Sequence, residues 1–149
     1  MTIDTSGKWW KGSAPQDIEE YLRALSSDSY PINEFRLARC TCGSERFLLE
    51  ADSDESVARR TCAECGKAHF ICDSGEFWED AHPREYKCVT CKSKEANVAN
   101  VGVGFALYDH KTAVHWVYVG CRCAKCGVLG CMVDWKIGYE PSLQLLNEA

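Results

Sequence analysis

Eight of the eleven cysteines fall into two sets, and their spacing constrains the fold more than any other feature of the chain. Each set consists of two close pairs separated by enough chain for a β-hairpin. The intervening segment has nineteen residues in the first set and thirty-one in the second. The members are Cys40, Cys42, Cys62 and Cys65 in the first set, and Cys88, Cys91, Cys123 and Cys126 in the second.

Two close cysteine pairs held at the ends of a hairpin allow four thiolates to converge tetrahedrally on one metal ion. The spacing therefore predicts two Zn²⁺ ions, one in each set. Four thiolates leave no coordination position for water or substrate, so both ions are expected to be structural rather than catalytic. Metal-bound thiolates also suit a reducing compartment better than disulfides do, and the odd number of cysteines disfavours complete disulfide pairing.

The residues around these cysteines resemble tandem zinc ribbons with rubredoxin-like knuckles, in which a glycine follows the second cysteine of each pair. Gly43, Gly66 and Gly127 occupy that place, where a positive φ turns backbone N–H groups toward sulfur. Lys92 stands there in the remaining knuckle, and the first pair is one residue shorter than usual. The resemblance covers residues 40–78 and 88–139 and implies a small β-hairpin unit around each metal.

The predicted fold class is α+β, mostly β, with two zinc-ribbon-like modules in tandem behind an N-terminal amphipathic helix. We expect residues 1–39 to pack as a helix and strand on the ribbons. Residues 40–87 form the first ribbon, and residues 88–149 form the second with a C-terminal segment.

A helix is predicted over residues 13–27, with Ser13 as N-cap and Gln16 completing a capping box. Its apolar residues follow helical spacing and are Ile18, Tyr21, Leu22 and Leu25. Alternation and β-branched residues predict strands at 35–39, 45–51, 57–61, 69–72, 98–109, 113–119 and 129–135. Asp109–Thr112 should form a turn, and residues 141–147 a short helix or turn.

A short internal match indicates that the unit is duplicated. Residues 61–66 read Thr-Cys-Ala-Glu-Cys-Gly, and residues 122–127 read Arg-Cys-Ala-Lys-Cys-Gly. This alignment places Arg60 opposite Cys121 and therefore favours Cys123, not Cys121, as the partner of Cys126. The alternative, in which Cys121 is the ligand, stays open from the sequence alone.

The other thiols and the imidazoles show no catalytic pattern. Cys72 and Cys131 lie in predicted strands and are expected to be buried. His69 lies close enough to Cys65 to replace a ligand, although an ordinary half-buried role is the simpler interpretation. We find no nucleophile motif, phosphate-binding loop or His-Glu metal motif.

The net charge of −5 is concentrated in the first cysteine module, where residues 40–87 contain eleven acidic and six basic residues. Such a surface repels phosphates and attracts basic partners. The carboxylates proposed for partner contact are Asp52, Asp54, Glu55, Glu76, Glu79 and Asp80. Trp9 and Trp10, between two lysines, can anchor a partner or stack on bases, or can fold back over an apolar edge.

Three functions compete on this basis. The first is a non-enzymatic protein-binding module that occludes a basic partner, similar in type to bacterial immunity proteins that neutralise a toxin. The second is a nucleic-acid-binding zinc ribbon in transcription or translation, which the acidity of the first module disfavours. The third is a thiol-dependent enzyme. No membrane helix or signal peptide is evident, so a cytoplasmic location is expected, and the oligomeric state is open.

Overall fold

The protein is mostly β-structure with one α-helix in the part of the chain that the structure describes. The computed structural model describes residues 3–91, 97–109 and 113–149. Most of the predicted turn at 109–112 lies outside the described residues, as does the departure from the knuckle pattern at Lys92.

The seven predicted strands are present with bounds that agree to within about four residues. The described strands are β1 Ile3–Asp4, β2 Lys11–Gly12, β3 Glu34–Leu37, β4 Phe47–Asp52, β5 Val57–Cys62, β6 Ala68–Phe70, β7 Arg84–Glu85, β8 Val98–Leu107, β9 Val114–Cys123 and β10 Leu129–Lys136. The three two-residue strands, β1, β2 and β7, were not predicted. Helix α1 covers Asp17–Ser26, and 3₁₀ turns cover Ser74–Glu76, Trp78–Asp80 and Leu143–Asn147.

Strands β1 and β2 form a separate hairpin, and the other eight described strands form one sheet. Its main path runs β10-β9-β8-β4-β5-β6, so each half is a three-stranded antiparallel meander. The two meanders join through their first strands, with Phe47 opposite Ala99 and Leu48 opposite Val98. A single sheet therefore carries both cysteine sets.

The two halves share their strand register, which supports the duplication inferred from the sequence. Thr61 lies opposite Ala68 in the first half, and Arg122 lies opposite Leu129 in the second, 61 residues further on at both positions. The two neighbouring pairs in each half follow the same offset. One supersecondary unit thus occurs twice, and the two copies meet at the β4–β8 junction.

Two short strands, each just before the first knuckle of a cysteine set, pair with the sheet beside its main path. Strand β3 pairs with β8, where Leu37 lies opposite Gly102. Strand β7 pairs with β4, where Glu85 lies opposite Glu50. The β3–β8 pairing joins residues 1–39 to the second ribbon, whereas the β7–β4 pairing stays within residues 40–87. The boundaries at 39/40 and 87/88 stay a prediction.

Helix α1 begins later than the sequence indicated, and the capping box predicted at Ser13 and Gln16 is wrong. The helix starts at Asp17, whose carboxylate accepts a hydrogen bond from the Ala14 N–H at 3.0 Å. No side-chain oxygen caps the helix at Gln16. The Asp17 carboxylate instead accepts a hydrogen bond from a backbone N–H in the turn just before the helix.

The apolar face of α1 is narrower than predicted and packs on the second unit. Ile18, Leu22 and Ser26 are buried, whereas Leu25, predicted to face the core, is 47% exposed. The Ser26 hydroxyl donates to the Leu22 carbonyl at 2.7 Å and accepts from the Ile32 N–H at 3.2 Å. Together these contacts connect the helix to the chain that leads into β3.

Glycines make this docking possible. A Cβ on Gly120 would lie 2.7 Å from Ile18 Cγ2, closer than real Cβ contacts come. A Cβ on Gly102 would clash with the ring of Phe35. The register places Arg59 at the first-unit position equivalent to Gly120. The glycine in the second unit therefore leaves room for the helix, whereas the arginine at the equivalent position of the first unit does not.

One apolar core lies on the opposite side of the sheet from α1 and crosses the junction between the units. It includes Phe47, Leu49 and Ile71 from the first unit and Val101, Val117, Val133 and Trp135 from the second. Cys40, Cys62, Cys88 and Cys123 belong to the same cluster of buried side chains. Each metal-type site is thus attached to the common core on its inner side.

Candidate metal centres

The first cysteine cluster forms at the open end of the β4–β5 hairpin. Cys40 and Cys42 lie in the loop between β3 and β4, Cys62 ends β5, and Cys65 lies in the following turn. Their four sulfurs lie within 4.8 Å of one another. The closest approaches are 3.5 Å between Cys40 and Cys65 and 3.6 Å between Cys42 and Cys62.

The second cluster repeats this arrangement at the end of the β8–β9 hairpin. Cys88 lies 3.4 Å from Cys126, and Cys91 lies 3.8 Å from Cys123, sulfur to sulfur. All four sulfurs again lie within 4.8 Å of one another. Both predicted sets are therefore brought together by the fold.

The sulfur separations fit a metal ion and do not fit disulfides. A tetrahedral zinc site with Zn–S bonds of about 2.3 Å has sulfur–sulfur edges of about 3.8 Å. A disulfide would need a separation of about 2.05 Å. The closest approaches of 3.4 to 3.8 Å lie near the tetrahedral value. Two groups of four cysteines can thus each hold one ion.

Backbone geometry in the knuckles directs N–H groups at sulfur. The N–H groups of Glu64 and Cys65 point at Cys62 Sγ, at 3.4 and 3.5 Å. The turn closes at Gly66, which has φ +79° and donates its N–H to the Cys62 carbonyl at 3.0 Å. The Cys65 N–H, helped by that of Glu64 and opposed by desolvation, lowers the pKa of Cys62 to about 6. A thiolate ligand is thereby favoured at this position.

Thr90 is a site residue that the sequence analysis missed. Its hydroxyl lies 3.3 Å from Cys88 Sγ and 3.2 Å from Cys126 Sγ, so it bridges the two knuckles of the second cluster. A hydroxyl residue between the two cysteines of a knuckle was the available signal. The first cluster also has a threonine between its first two cysteines, Thr41, but that pair is one residue shorter.

The three remaining cysteines lie outside both clusters. Cys121 is buried in β9 opposite Val101, and burial raises its pKa. Burial also raises the pKa of Cys72, and it raises the pKa of Cys131 to about 12. The structure brings Cys123, and not Cys121, to the second cluster. These three thiols are not poised as thiolate nucleophiles.

His69 does not join the first cluster. Its Nε2 lies 3.1 Å from the carbonyl oxygen of Glu148. Desolvation lowers the pKa of this imidazole, partly opposed by its contact with that carbonyl. The contact joins β6 to the segment after the last 3₁₀ turn, which is a structural use of the side chain.

The carboxylates proposed for partner contact fall on two neighbouring segments. Asp54 and Glu55 are exposed at the tip between β4 and β5. Asp52 accepts the N–H groups of Asp54 at 2.9 Å and His82 at 2.8 Å, and the His82 bond is the largest cause of its lowered pKa. The tip therefore touches the segment that carries the other three, which are the exposed Glu76, Glu79 and Asp80.

Of the two tryptophans, Trp10 folds back over an apolar edge and Trp9 remains exposed. Trp10 is half-buried and packs edge-on against Tyr21 with ring centroids 5.9 Å apart. Its carbonyl accepts the Leu129 N–H at 2.8 Å, which attaches the N-terminal segment to β10. Trp9 is 43% exposed beneath the Lys8 ammonium. The segment folds back over the second unit and leaves Trp9 accessible.

Comparison with protein-family models, curated proteins and solved structures returned no match. Among the described helices, none has the length and apolar character needed to cross a membrane.

Proposed function

We propose that this chain is a zinc-stabilised, non-enzymatic protein-binding module whose acidic surface covers a basic partner protein. Zinc is the ion that four-thiolate tetrahedral sites most commonly hold. In a duplicated unit of this size, the free energy of metal binding adds directly to folding. The two ions would hold the hairpin ends closed and leave the surface free for recognition.

The proposal of a non-enzymatic role is supported by the chemistry of the thiols. Each cluster uses four sulfurs and so leaves no open coordination position at which a metal-bound water could act. The three thiols outside the clusters have raised pKa values because they are desolvated. Neither arrangement provides an activated nucleophile.

The observation that carries the partner proposal is the unequal pairing of carboxylates in the first unit. Glu45, Glu50 and Glu64 form ion pairs with arginines, at 3.0, 2.7 and 3.0 Å respectively. Among the described residues, no ion pair involves the six proposed contact residues, Asp52, Asp54, Glu55, Glu76, Glu79 and Asp80. The charges of these six carboxylates are therefore not compensated by any ion pair among the described residues.

A surface of this kind accelerates association with a basic protein and contributes specificity. The expected partner is a protein with a lysine- and arginine-rich face. A toxin whose active-site face is covered by an immunity protein would be one example. The nucleic-acid alternative is weaker, because two arginines near the clusters are already engaged. Arg122 donates to the Gly12 carbonyl at 2.7 Å and to Asn100 Oδ1 at 2.9 Å, and Arg46 pairs with Glu64.

Affinity capture from the native host with charge-reversed variants tests the proposal. The test variant combines Asp54→Lys, Glu55→Lys, Glu79→Lys and Asp80→Lys, leaving Asp52 to its backbone contacts. A matched control reverses Glu20 and Asp28, which lie on and just after α1. We expect the control to retain a captured basic protein and the test variant to lose it, with an association rate that falls as salt increases.

Equal capture by the test variant and the control would show that the acidic surface is not the contact. Sub-micromolar, salt-sensitive binding of the unmodified chain to DNA or RNA would favour the nucleic-acid alternative instead.

A further inference from the structure

The two cysteine clusters differ in how far their sulfurs are shielded from solvent. In the first cluster Cys42 and Cys65 are exposed. In the second cluster the corresponding residues, Cys91 and Cys126, are half-buried. The other two cysteines of each cluster are buried. The first cluster therefore presents two exposed cysteines to a reagent in solution, whereas the second presents only half-buried ones.

Each exposed sulfur of the first cluster has a buried sulfur as its close neighbour. Cys42 lies 3.6 Å from Cys62, and Cys65 lies 3.5 Å from Cys40. An exposed thiolate that is oxidised thus has a second thiolate within reach to resolve it. Closing from these separations to a disulfide needs a movement of about 1.5 Å once the metal has left.

The surroundings favour reaction at the first cluster as well. Cys42 lines an open cleft of about 580 Å³ together with Arg46, Glu64 and Arg122. In the second cluster the Thr90 hydroxyl lies between two sulfurs and contacts both. Oxidation of cysteine follows thiolate character and solvent access, so the difference in exposure ranks the two sites.

We propose that the first cluster is an oxidant-reactive modification site, at which hydrogen peroxide forms the disulfides Cys42–Cys62 and Cys40–Cys65 and releases the metal, while the second cluster keeps its ion. This inference rests on the proposed binding of two zinc ions. It adds that the duplicated sites have diverged, one remaining purely structural and the other responding to peroxide.

The chemistry of each disulfide balances with one peroxide. The exposed thiolate attacks the O–O bond, forms a sulfenic acid and releases hydroxide. The neighbouring thiolate then attacks the sulfenic sulfur, which forms the S–S bond and releases a second hydroxide. The two thiolates together lose two electrons, and these reduce the peroxide to two hydroxide ions. Zn²⁺ is released because the thiolates that held it have become a disulfide.

Peroxide titration of the zinc-loaded full chain tests the inference. Zinc release is followed with a chromophoric chelator, remaining thiols are alkylated, and non-reduced tryptic peptides are mapped by mass spectrometry. Cleavage after Arg39, Arg46, Arg60 and Lys67 separates the two halves of the first cluster into peptides 40–46 and 61–67. A Cys131→Ala variant controls for oxidation of the half-buried thiol outside the clusters.

We expect one of the two zinc ions to be released in a fast phase, together with cross-linked peptides 40–46 and 61–67. The second-cluster cysteines should still be reduced at that stage, in the unmodified chain and in the control. Release of both ions in one phase, or disulfides first within the second cluster, would overturn the inference. Fewer than two zinc ions per chain before peroxide is added would instead refute the proposed metal binding.

Discussion

The close contact between helix α1 and Gly120 of the second unit gives the most specific prediction about the free energy of unfolding. Gly120→Ala adds a Cβ that would lie 2.7 Å from Ile18 Cγ2 and 3.0 and 3.1 Å from the two δ-carbons of Leu22. Ile18 and Leu22 are fully buried, so neither side chain has free space to move into. Overpacking of this kind costs about 1–3 kcal/mol, partly offset by about 0.5–1 kcal/mol because alanine restricts the unfolded chain. We expect a net destabilisation of about 1–2 kcal/mol.

Gly130→Ala is the matched control, because it places the same substitution on the neighbouring strand of the same sheet. A Cβ there meets only Cys121 Sγ, at 3.7 Å, which is ordinary contact. This variant should be neutral or slightly stabilised. Both variants are measured by urea unfolding of zinc-loaded protein, followed by far-ultraviolet circular dichroism, with equal m-values required for the comparison.

A double variant tests whether the helix contact itself is the cause. Leu22→Ala alone should cost about 2–5 kcal/mol, since it leaves a cavity beneath the helix. Combined with Gly120→Ala, the loss should be smaller than the sum, because the new methyl group enters that cavity. Strict additivity, or equal stability of the Gly120→Ala and Gly130→Ala variants, would refute the docking argument.

Three further predictions concern the clusters and their surroundings. Cys123→Ser should remove one of two zinc ions by elemental analysis, whereas Cys121→Ser should retain both, since only the former belongs to a cluster. Gly127→Ala should destabilise more than Gly43→Ala by urea unfolding: both have positive φ, but only at Gly127 would a Cβ also meet a backbone oxygen, at 2.6 Å. The folded pKa of His69 lies below 6.5, so its contribution is complete above that pH and is lost as pH falls through the folded value. The unmodified chain should therefore lose more stability between pH 7.5 and 5.5 than a His69→Gln variant does.

Much of the fold was predictable because its signals are local. Cysteine spacing indicated the two hairpins, and alternation located the strands, including the long β8 and β9. The offset of 61 residues also selected Cys123 over Cys121, and the structure brings Cys123 to the cluster. Local periodicity and spacing were sufficient for these features because each hairpin is closed by its own knuckles.

Long-range choices were less accessible to the sequence. Nothing in the residues of β3 or β7 indicates which strand each one joins, and the structure pairs β3 with the distant β8 and β7 with β4. The hydrogen bond from Ala14 to Asp17 depends on the loop before α1, and the exposure of Leu25 depends on how the helix lies on the second unit. Such features follow from the packing of distant segments, which helical and strand periodicities do not encode.

The metal content of the purified chain tests the central claim most directly. The protein is expressed without a metal-binding tag in zinc-replete medium, and zinc and protein concentrations are measured on the same sample. We expect two tightly held zinc ions per chain, with loss of cooperative unfolding once a strong chelator removes both. A chain that contains one ion or none, and unfolds as cooperatively with chelator as without it, would contradict the account.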